Sequence, residues 1–281
     1  MIKKGKKYLV TGGTGIIGYS LCERIISMGG QVVVLSRSKN KLKKLKEKYN
    51  EIEIVVGDIC NQQIVRNVIK DVDGVFHLAA VAEGMQAGKP IESVTTNVIG
   101  SMIVLQEASN VDFVLGISSD KVVQVSGSYG ATKFLMEKLF NQFEEINPKV
   151  KYRVIRLGNV IYSVDSVLYR WKSLIEKCEE VIVTDKKATR FFMTSEKSID
   201  LIMNCLEKAK DSTPYFEPMK STSIGNLLQA MINKYGSKDC KLPIKTIGLH
   251  SSENLHEKIS EDGVYTNEIE QYTIKELEEM I

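Results

Sequence analysis

Histidine and cysteine, the residues that build metal sites and stapled folds, are scarce here. Five cysteines (Cys22, Cys60, Cys178, Cys205, Cys240) stand far apart, with no C-x-x-C pair and no histidine nearby. That spacing points neither to zinc ligation nor to a secreted disulfide framework, and a reducing cytoplasm is the expected home. Of the three histidines, His250 and His256 have no partner at ligand spacing, and His77 reads as packing beside a cofactor, so no metal is expected. Long apolar runs are missing too. The basic N-terminus is followed by only Tyr8-Leu9-Val10 before glycines begin, too short for a signal-peptide core, and no stretch is long enough to span a bilayer. The net charge is +3, and the one dense basic run, from Lys39 to Lys48, has helical spacing and includes Glu47. It reads as a solvated helix face, so neither nucleic acid nor membrane is an expected partner. With 43% hydrophobic and 26% charged residues, the chain falls among ordinary globular proteins.

Up to about residue 157 short β-branched runs alternate with amphipathic stretches of helix length, the pattern of βαβ units around a parallel sheet. Strands are predicted over 8–11, 31–36, 52–56, 74–77, 113–117 and 152–157, and helices over 21–27, 63–69, 91–108 and 131–146. Runs such as Val32-Val33-Val34-Leu35 are apolar without alternation, as strands covered on both faces must be. The expected fold class is α/β: a Rossmann-type doubly wound parallel sheet with a small C-terminal substrate-binding lobe. Residues 1–160 form the dinucleotide-binding domain in this reading and residues 161–281 the lobe, with helix 195–210 packing back onto the first. The lobe carries three of only five prolines, Pro214 and Pro218 among them.

Gly12, Gly15 and Gly18 fall between the first strand and the first helix, in Gly12-Gly13-Thr14-Gly15-Ile16-Ile17-Gly18. Glycines at these positions permit a tight turn, close approach to a pyrophosphate and dense helix packing, while the helix start offers free N–H groups to the anion. The second strand ends in Ser36-Arg37 with no carboxylate to bond a ribose 2′-hydroxyl, which favours NADP, with NAD the alternative. Asp58 and Ile59 follow the third strand and are placed near the adenine; Asp58 has the alternative role of capping the next helix.

The fifth strand runs into Ser118-Ser119-Asp120-Lys121, and Tyr129 and Lys133 follow four residues apart on one helix face. A lysine beside a phenol, whose ordinary pKa is about 10, favours the phenolate and lets it act as a base. Ser119 is positioned to hydrogen-bond the substrate oxygen.

These motifs, with Phe76-His77-Leu78-Ala79-Ala80, Thr96-Asn97, Arg156-Leu157-Gly158-Asn159-Val160, Thr189-Arg190-Phe191-Phe192-Met193-Thr194 and Leu255-His256-Glu257, resemble the extended short-chain dehydrogenases/reductases, specifically the UDP-N-acetylglucosamine 4,6-dehydratases of polysaccharide biosynthesis. The resemblance covers nearly the whole chain. It implies a homo-oligomeric enzyme acting on a UDP-sugar, with Leu78, Ala79, Ala80, Asn97, Tyr129 and Lys133 at the cofactor and Asn159, Val160, Arg190 and Glu257 at the sugar nucleotide. It further implies that Tyr129 deprotonates the C4 hydroxyl, that Lys121 in its neutral form removes the C5 proton, and that Asp120 protonates the departing C6 hydroxyl. Adjacent groups with opposite proton tasks need environments that push their pKa values apart, with burial lowering Lys121 and raising Asp120. The chain departs from the family pattern at Val81-Ala82-Glu83-Gly84, Val122 to Gly127, Tyr162-Ser163-Val164-Asp165 and His250 to Asn254. A C4 epimerase, a 5-inverting or 5,6-dehydratase variant, and a non-catalytic NADP-binding scaffold share the same scaffold residues.

Overall fold

Six parallel strands carry the molecule: β1 (Lys7–Thr11), β2 (Gln31–Ser36), β3 (Glu53–Val56), β4 (Gly74–His77), β5 (Phe113–Ser119) and β6 (Lys151–Leu157). In the computed structural model, which describes residues 2–81, 89–162 and 167–281, they pair in the order β3-β2-β1-β4-β5-β6. The chain leaves β1 in one direction through β2 and β3 and in the other through β4, β5 and β6. This reversal makes the crevice beyond the carboxyl ends of β1 and β4 the place for a ligand. The α/β expectation of a doubly wound parallel sheet is met.

Both faces of the sheet are covered, which explains the continuous apolar strands. On one face Val10, Val32 and Val34 pack against Leu21, Cys22 and Ile25 of α1 (Ile16–Ser27) and Leu42 and Leu45 of α2 (Lys39–Lys48). On the other, Leu9, Val33 and Val75 meet Val65 and Ile69 of α3 (Gln62–Ile69), and the same layer holds residues of α5 (Ser101–Glu107) and α6 (Ser128–Ile146). The predicted helix 91–108 is divided: α4 (Pro90–Val94) gives way to a π-helical turn, Thr95–Gly100, before α5. Such wide turns are rare and gather at functional sites.

Beyond β6 come β7 (Asn159–Val160), α7 (Val167–Glu176), β8 (Val181–Val183), β9 (Thr189–Met193), α8 (Ser195–Lys208), β10 (Ser221–Ser223), α9 (Ile224–Tyr235), β11 (Ile244–Thr246) and α10 (Ile274–Met280). Leu201, Ile202 and Cys205 of α8 lie in the same core as Leu21 and Ile25, and α8 packs on α1 and β6. A separate core is drawn only from residues 161–281, with Leu168, Trp171 and Ile175 of α7 against Leu227, Leu228 and Met231 of α9 and Leu277 of α10. The strands here form two small sheets, β10-β9-β7 and β11-β8. Among the described residues no helix is long and apolar enough to cross a membrane.

The reading of five separate thiols is corrected. Cys178, in the turn after α7, and Cys240, before β11, form a disulfide with Cα atoms 6.0 Å apart across a separation of 62 residues. The pairing ties together the ends of β8 and β11, which no spacing rule reveals. Cys22 and Cys205 are buried, and burial pushes both thiols up to about 12, so they are poor nucleophiles. Closing a loop of this length removes enough unfolded-state entropy to stabilise by about 4 kcal/mol. Reduction is therefore expected to lower the melting temperature by several degrees, and Cys178→Ser/Cys240→Ser should melt like the reduced protein. Alkylation with and without reductant, followed by intact mass, checks the pairing.

Candidate functional site

At the turn after β1, Gly12 has φ +70°, and a Cβ there would lie 2.8 Å from the Ala79 nitrogen and 2.9 Å from the Leu78 carbonyl carbon. Glycine alone lets the β1 turn lie against the backbone leaving β4. Gly18 is equally confined, since its Cβ would sit 2.6 Å from the Gly12 oxygen. Gly15 caps α1 with no side-chain hydrogen bond, and the first turn of the helix holds no acidic residue. The opening N–H groups of α1, which have no acceptor within the helix, are thus left for an anion, and the residues fit a pyrophosphate. Ile16 and Ile17 are half-buried and pack toward the core.

The rest of the predicted cofactor set is divided between an exposed cavity and the protein interior. Thr14 Oγ1 lies 2.9 Å from Ser36 Oγ. The Arg37 guanidinium is 3.8 Å from Asp58, both well exposed, and beside them a cavity of about 540 Å³ is walled by Cys60, Lys89, Pro90, Ile91 and Thr95. Asp58 accepts a hydrogen bond from the Cys60 N–H at 2.9 Å, while the cap of α3 is Asn61. Ile59 is buried in the core. Asn97, in the π-helical turn, is committed within the protein: its Oδ1 accepts from the Val81 N–H at 2.7 Å, and its Nδ2 donates to the Val81 oxygen and Thr132 Oγ1, both at 3.0 Å. Thr132 in turn donates to the Tyr129 carbonyl. Both amide hydrogens of Asn97 are used, so what it fixes is the distance between the chain leaving β4 and the first turn of α6. Ala80 is half-buried on that stretch.

Beneath the crevice lies a buried polar chain that sequence reasoning described only as packing. Ser101 Oγ donates to the Asn97 oxygen at 2.7 Å and lies 2.8 Å from His77 Nε2, so Nε2 carries the proton. His77 Nδ1 then accepts from Thr11 Oγ1 at 2.8 Å, and Thr11 Oγ1 accepts from the Leu78 and Ala79 N–H groups. Burial, and secondarily the charge of Lys133, lowers the His77 pKa to about 3.

At the end of β5 the structure brings Ser119, Asp120 and Lys121 into contact. Ser119 Oγ donates to Asp120 Oδ1 at 2.7 Å, and Lys121 Nζ donates to Asp120 Oδ2 at 2.9 Å. Asp120 is 1% exposed. Glu257, equally buried, reaches in from the C-terminal segment with Oε1 3.3 Å from Lys121 Nζ, and Arg190 Nε of β9 stands 3.8 Å from that same oxygen. The expectation that burial lowers Lys121 is corrected here. Burial does pull it down, but Asp120 and Glu257 together outweigh burial and the opposing charge of Arg190, and the pKa is raised.

Tyr129, half-buried, lies in the first turn of α6, one turn before Lys133. Lys133 is buried and donates to the Ile117 oxygen at 2.6 Å. Burial lowers its pKa to about 8, with Glu137 opposing. Sequence reasoning missed Glu137, which accepts Ser118 Oγ at 2.6 Å and both Nε (2.9 Å) and Nη2 (2.8 Å) of Arg156. Its only signal was Arg156, a charged residue near the carboxyl end of β6. Asn159 Nδ2 donates to the Phe191 oxygen at 3.0 Å, and Val160 is buried beside β9. Among the described residues no group of histidine, cysteine and acidic side chains could hold a metal. Two departures from the family pattern, Ala82 to Gly84 and Ser163 to Asp165, lie outside the described residues.

The His77 shift has a pH consequence. Its folded value, about 3, lies below the ordinary 6.5, so the unfolded chain binds the extra proton first. Stability is expected to fall as pH drops from about 6.5 toward 3, and His77→Gln should flatten that slope. Denaturant midpoints at about pH 7 and about pH 4.5 measure it; equal slopes in both proteins would exclude His77 as the cause.

Comparison with known proteins agrees with this architecture. Residues 8–277 match the family described as polysaccharide biosynthesis protein. The chain is 32% identical to an uncharacterized membrane protein of Methanocaldococcus jannaschii, over 99% of this chain and 85% of the relative. It is 29% identical to a UDP-N-acetylglucosamine 4,6-dehydratase (inverting) of Campylobacter jejuni, over 95% and 82%, and 30% identical to a UDP-glucose 4-epimerase of Rickettsia bellii, over 90% and 77%. Among solved structures, Pen from Bacillus thuringiensis superimposes with a TM-score of 0.92 at 26% identity, covering 100% of this chain and 98% of that one. The dTDP-glucose 4,6-dehydratase DesIV from Streptomyces venezuelae, solved with NAD and TYD bound, does so at 0.79 and 17%, covering 92% and 88%, and speaks for the fold alone. The chain belongs to the polysaccharide biosynthesis protein family within the extended short-chain dehydrogenases/reductases.

Proposed function

We propose that the protein is an NDP-sugar 4,6-dehydratase acting on UDP-N-acetylglucosamine through a 4-keto intermediate. The observation that carries the reading is the Asp120–Lys121 pair, in direct hydrogen-bond contact at the carboxyl end of β5, one loop before Tyr129 and Lys133. A sugar dehydratase needs an acid and a base beside each other, whereas a C4 epimerase has no step that uses them. The relatives include both activities, so a nucleotide-sugar substrate follows from either, and the pair favours elimination.

A bound nicotinamide dinucleotide supplies a reversible hydride acceptor for sugar C4, and the same hydride is returned to C6. The residues of the chain manage the protons. Tyr129 takes the C4 hydroxyl proton, with Lys133 behind it, and Ser119 orients the oxygen. The resulting ketone acidifies C5–H, which Lys121 removes as Asp120 protonates the departing C6 hydroxyl, releasing water. The proton gained by Tyr129 balances the one given up by Asp120, and Lys121 returns its proton to C5. Arg190 is assigned to the diphosphate, whose oxygens match a guanidinium, and Asn159, Val160 and Glu257 to the sugar-nucleotide side.

The cofactor is proposed to be NADP, because Arg37 is exposed at the end of β2 and its pairing with Asp58 at 3.8 Å is loose enough to yield to a 2′-phosphate. We also retain the division into a dinucleotide-binding unit, 1–160, and a sugar-nucleotide lobe, 161–281. The homo-oligomer is supported by exposed Ile91, Val94, Phe134 and Leu135 on α4 and α6. The cytoplasmic location rests on the sequence reading, and the Cys178–Cys240 disulfide weighs against it.

Incubation with UDP-N-acetylglucosamine and proton NMR of the product is expected to show a C6 methyl doublet. Simple epimerisation without water loss would replace the dehydratase reading by the epimerase one, and absence of any turnover would leave a non-catalytic scaffold. Tyr129→Phe should abolish hydride transfer. Lys121→Met should keep cofactor affinity yet block elimination; undiminished product from that variant would remove Lys121 from the mechanism. Arg37→Ala is expected to weaken NADP binding about tenfold or more and leave NAD binding unchanged, which titration with each dinucleotide measures.

A further inference from the structure

The Asp120–Lys121 pair rests in the protonation state opposite to the one elimination needs. Both Asp120 oxygens accept hydrogen bonds, Oδ1 from Ser119 at 2.7 Å and Oδ2 from Lys121 at 2.9 Å, the pattern of an ionised carboxylate beside an ammonium. Elimination requires the reverse, a protonated Asp120 and an amine with a free lone pair. One transfer along the 2.9 Å bond interconverts the two, breaking Nζ–H and forming Oδ2–H, with no other reactant.

We infer that Glu257 is a positioning residue that decides where this shared proton sits: seated against Lys121 it keeps the proton on the amine, and turned toward Arg190 it lets the proton pass to Asp120. This deepens the dehydratase reading and rests on it for what the proton does next. The geometry supplies both partners. Glu257 Oε1 is 3.3 Å from Lys121 Nζ and 3.8 Å from Arg190 Nε, so one oxygen is divided between two cations.

The backbone at Glu257 is held in place. The Glu257 N–H donates to Thr266 Oγ1 at 2.9 Å, the Thr266 N–H returns a bond to the Glu257 oxygen, and Thr266 donates to the Thr189 carbonyl. Asn254 Nδ2 holds the other carboxylate oxygen at 3.3 Å. Arg190 is fixed too, with Nη1 donating to the Thr189 and Leu255 carbonyls, which leaves Nε facing Glu257. The charged groups facing Lys121 are Asp120 on its own turn, Glu257 from the C-terminal segment and Arg190 from β9. From α6, Gly130 packs on the Lys121 carbonyl.

The test reads Lys121 directly. In cofactor-free protein with isotopically labelled lysine, the Lys121 side-chain resonance, assigned by its loss in Lys121→Arg, is followed against pH. Glu257→Gln is expected to lower the midpoint by about one pH unit or more, the effect of losing an opposite charge at this distance, whereas Glu257→Asp should stay near the wild type. An unchanged midpoint in Glu257→Gln overturns the inference. Should that variant not fold, Thr266→Val, which loosens the seat of Glu257, is read instead and must shift the midpoint in the same direction. In turnover, exchange of C5–H with deuterated solvent should show its rising pH limb moved to lower pH in Glu257→Gln; an unmoved limb, whatever the KM, marks a mere sugar ligand and overturns it too. Failure of the dehydratase reading would appear instead in the wild type, as a product without a C6 methyl, and leaves the lysine titration to stand by itself.

Discussion

Four buried or nearly buried ionic side chains, Asp120 and Lys121 from the end of β5 with Arg190 and Glu257 from beyond residue 160, hold the large sheet and the C-terminal segments to one another. Their formal charges cancel, two negative against two positive. Desolvating four ions is costly, and their mutual attraction offsets the cost only while every partner is in place; removal of one leaves a buried charge uncompensated, at about 3–5 kcal/mol. A second array repeats the logic on the other side of α6. Glu137 takes two hydrogen bonds from Arg156, and Arg156 reaches on to Glu261 at 3.2 Å and the Ile259 oxygen at 3.1 Å. The helix carrying Tyr129 and Lys133 is thereby tied to β6 and to the C-terminal segment by charge as well as by packing.

Burial lowers two lysines alike, but their neighbours differ and the net shifts are opposite. Lys121 faces two carboxylates and keeps its proton. Lys133 faces the Ile117 carbonyl, a dipole rather than a charge, with Glu137 a secondary influence, and its pKa falls to about 8. One cation is therefore robust across the physiological range and the other is poised near neutrality. His77, between two hydroxyls and without a carboxylate, is driven fully to the neutral form. Three buried basic groups end in three different states, set by neighbours that no local stretch of sequence specifies.

That distinction explains what was legible. Strands of the large sheet are covered on both faces, so Val32 to Leu35 had to be an apolar run, and the boundaries of β2 and β4 match those predicted. Helix starts were harder. α1 begins at Ile16 rather than residue 21, because a glycine turn that packs directly into a helix hides the first turn behind loop-like composition. Of the strands β7 to β11 all but β9 are two or three residues long, below the length at which periodicity says anything. The π-helical turn left no mark in Thr95–Gly100. Of the site, the glycine turn and the Tyr129/Lys133 spacing were local and readable. Glu257 came only through family resemblance, since its meaning lies in a contact with a residue 136 positions earlier, and Glu137 not at all.

Long-range ionic contacts also bear on the choice between elimination and epimerisation. Where a buried ion pair serves only stability, well-packed apolar residues of similar volume do as well or better. A pure epimerase that had no use for Asp120 and Lys121 would gain by replacing them, yet here Ser119 bonds Asp120, Glu257 pairs with Lys121, and Asn254 and Arg190 in turn hold Glu257. Such contacts hold two oppositely charged groups in one place. On the proposed function, a sugar diphosphate reaching Arg190 would bring negative charge to that end of the array. In that reading the array would couple charge at Arg190 to the proton shared by Asp120 and Lys121, a coupling that elimination can use and hydride transfer alone cannot.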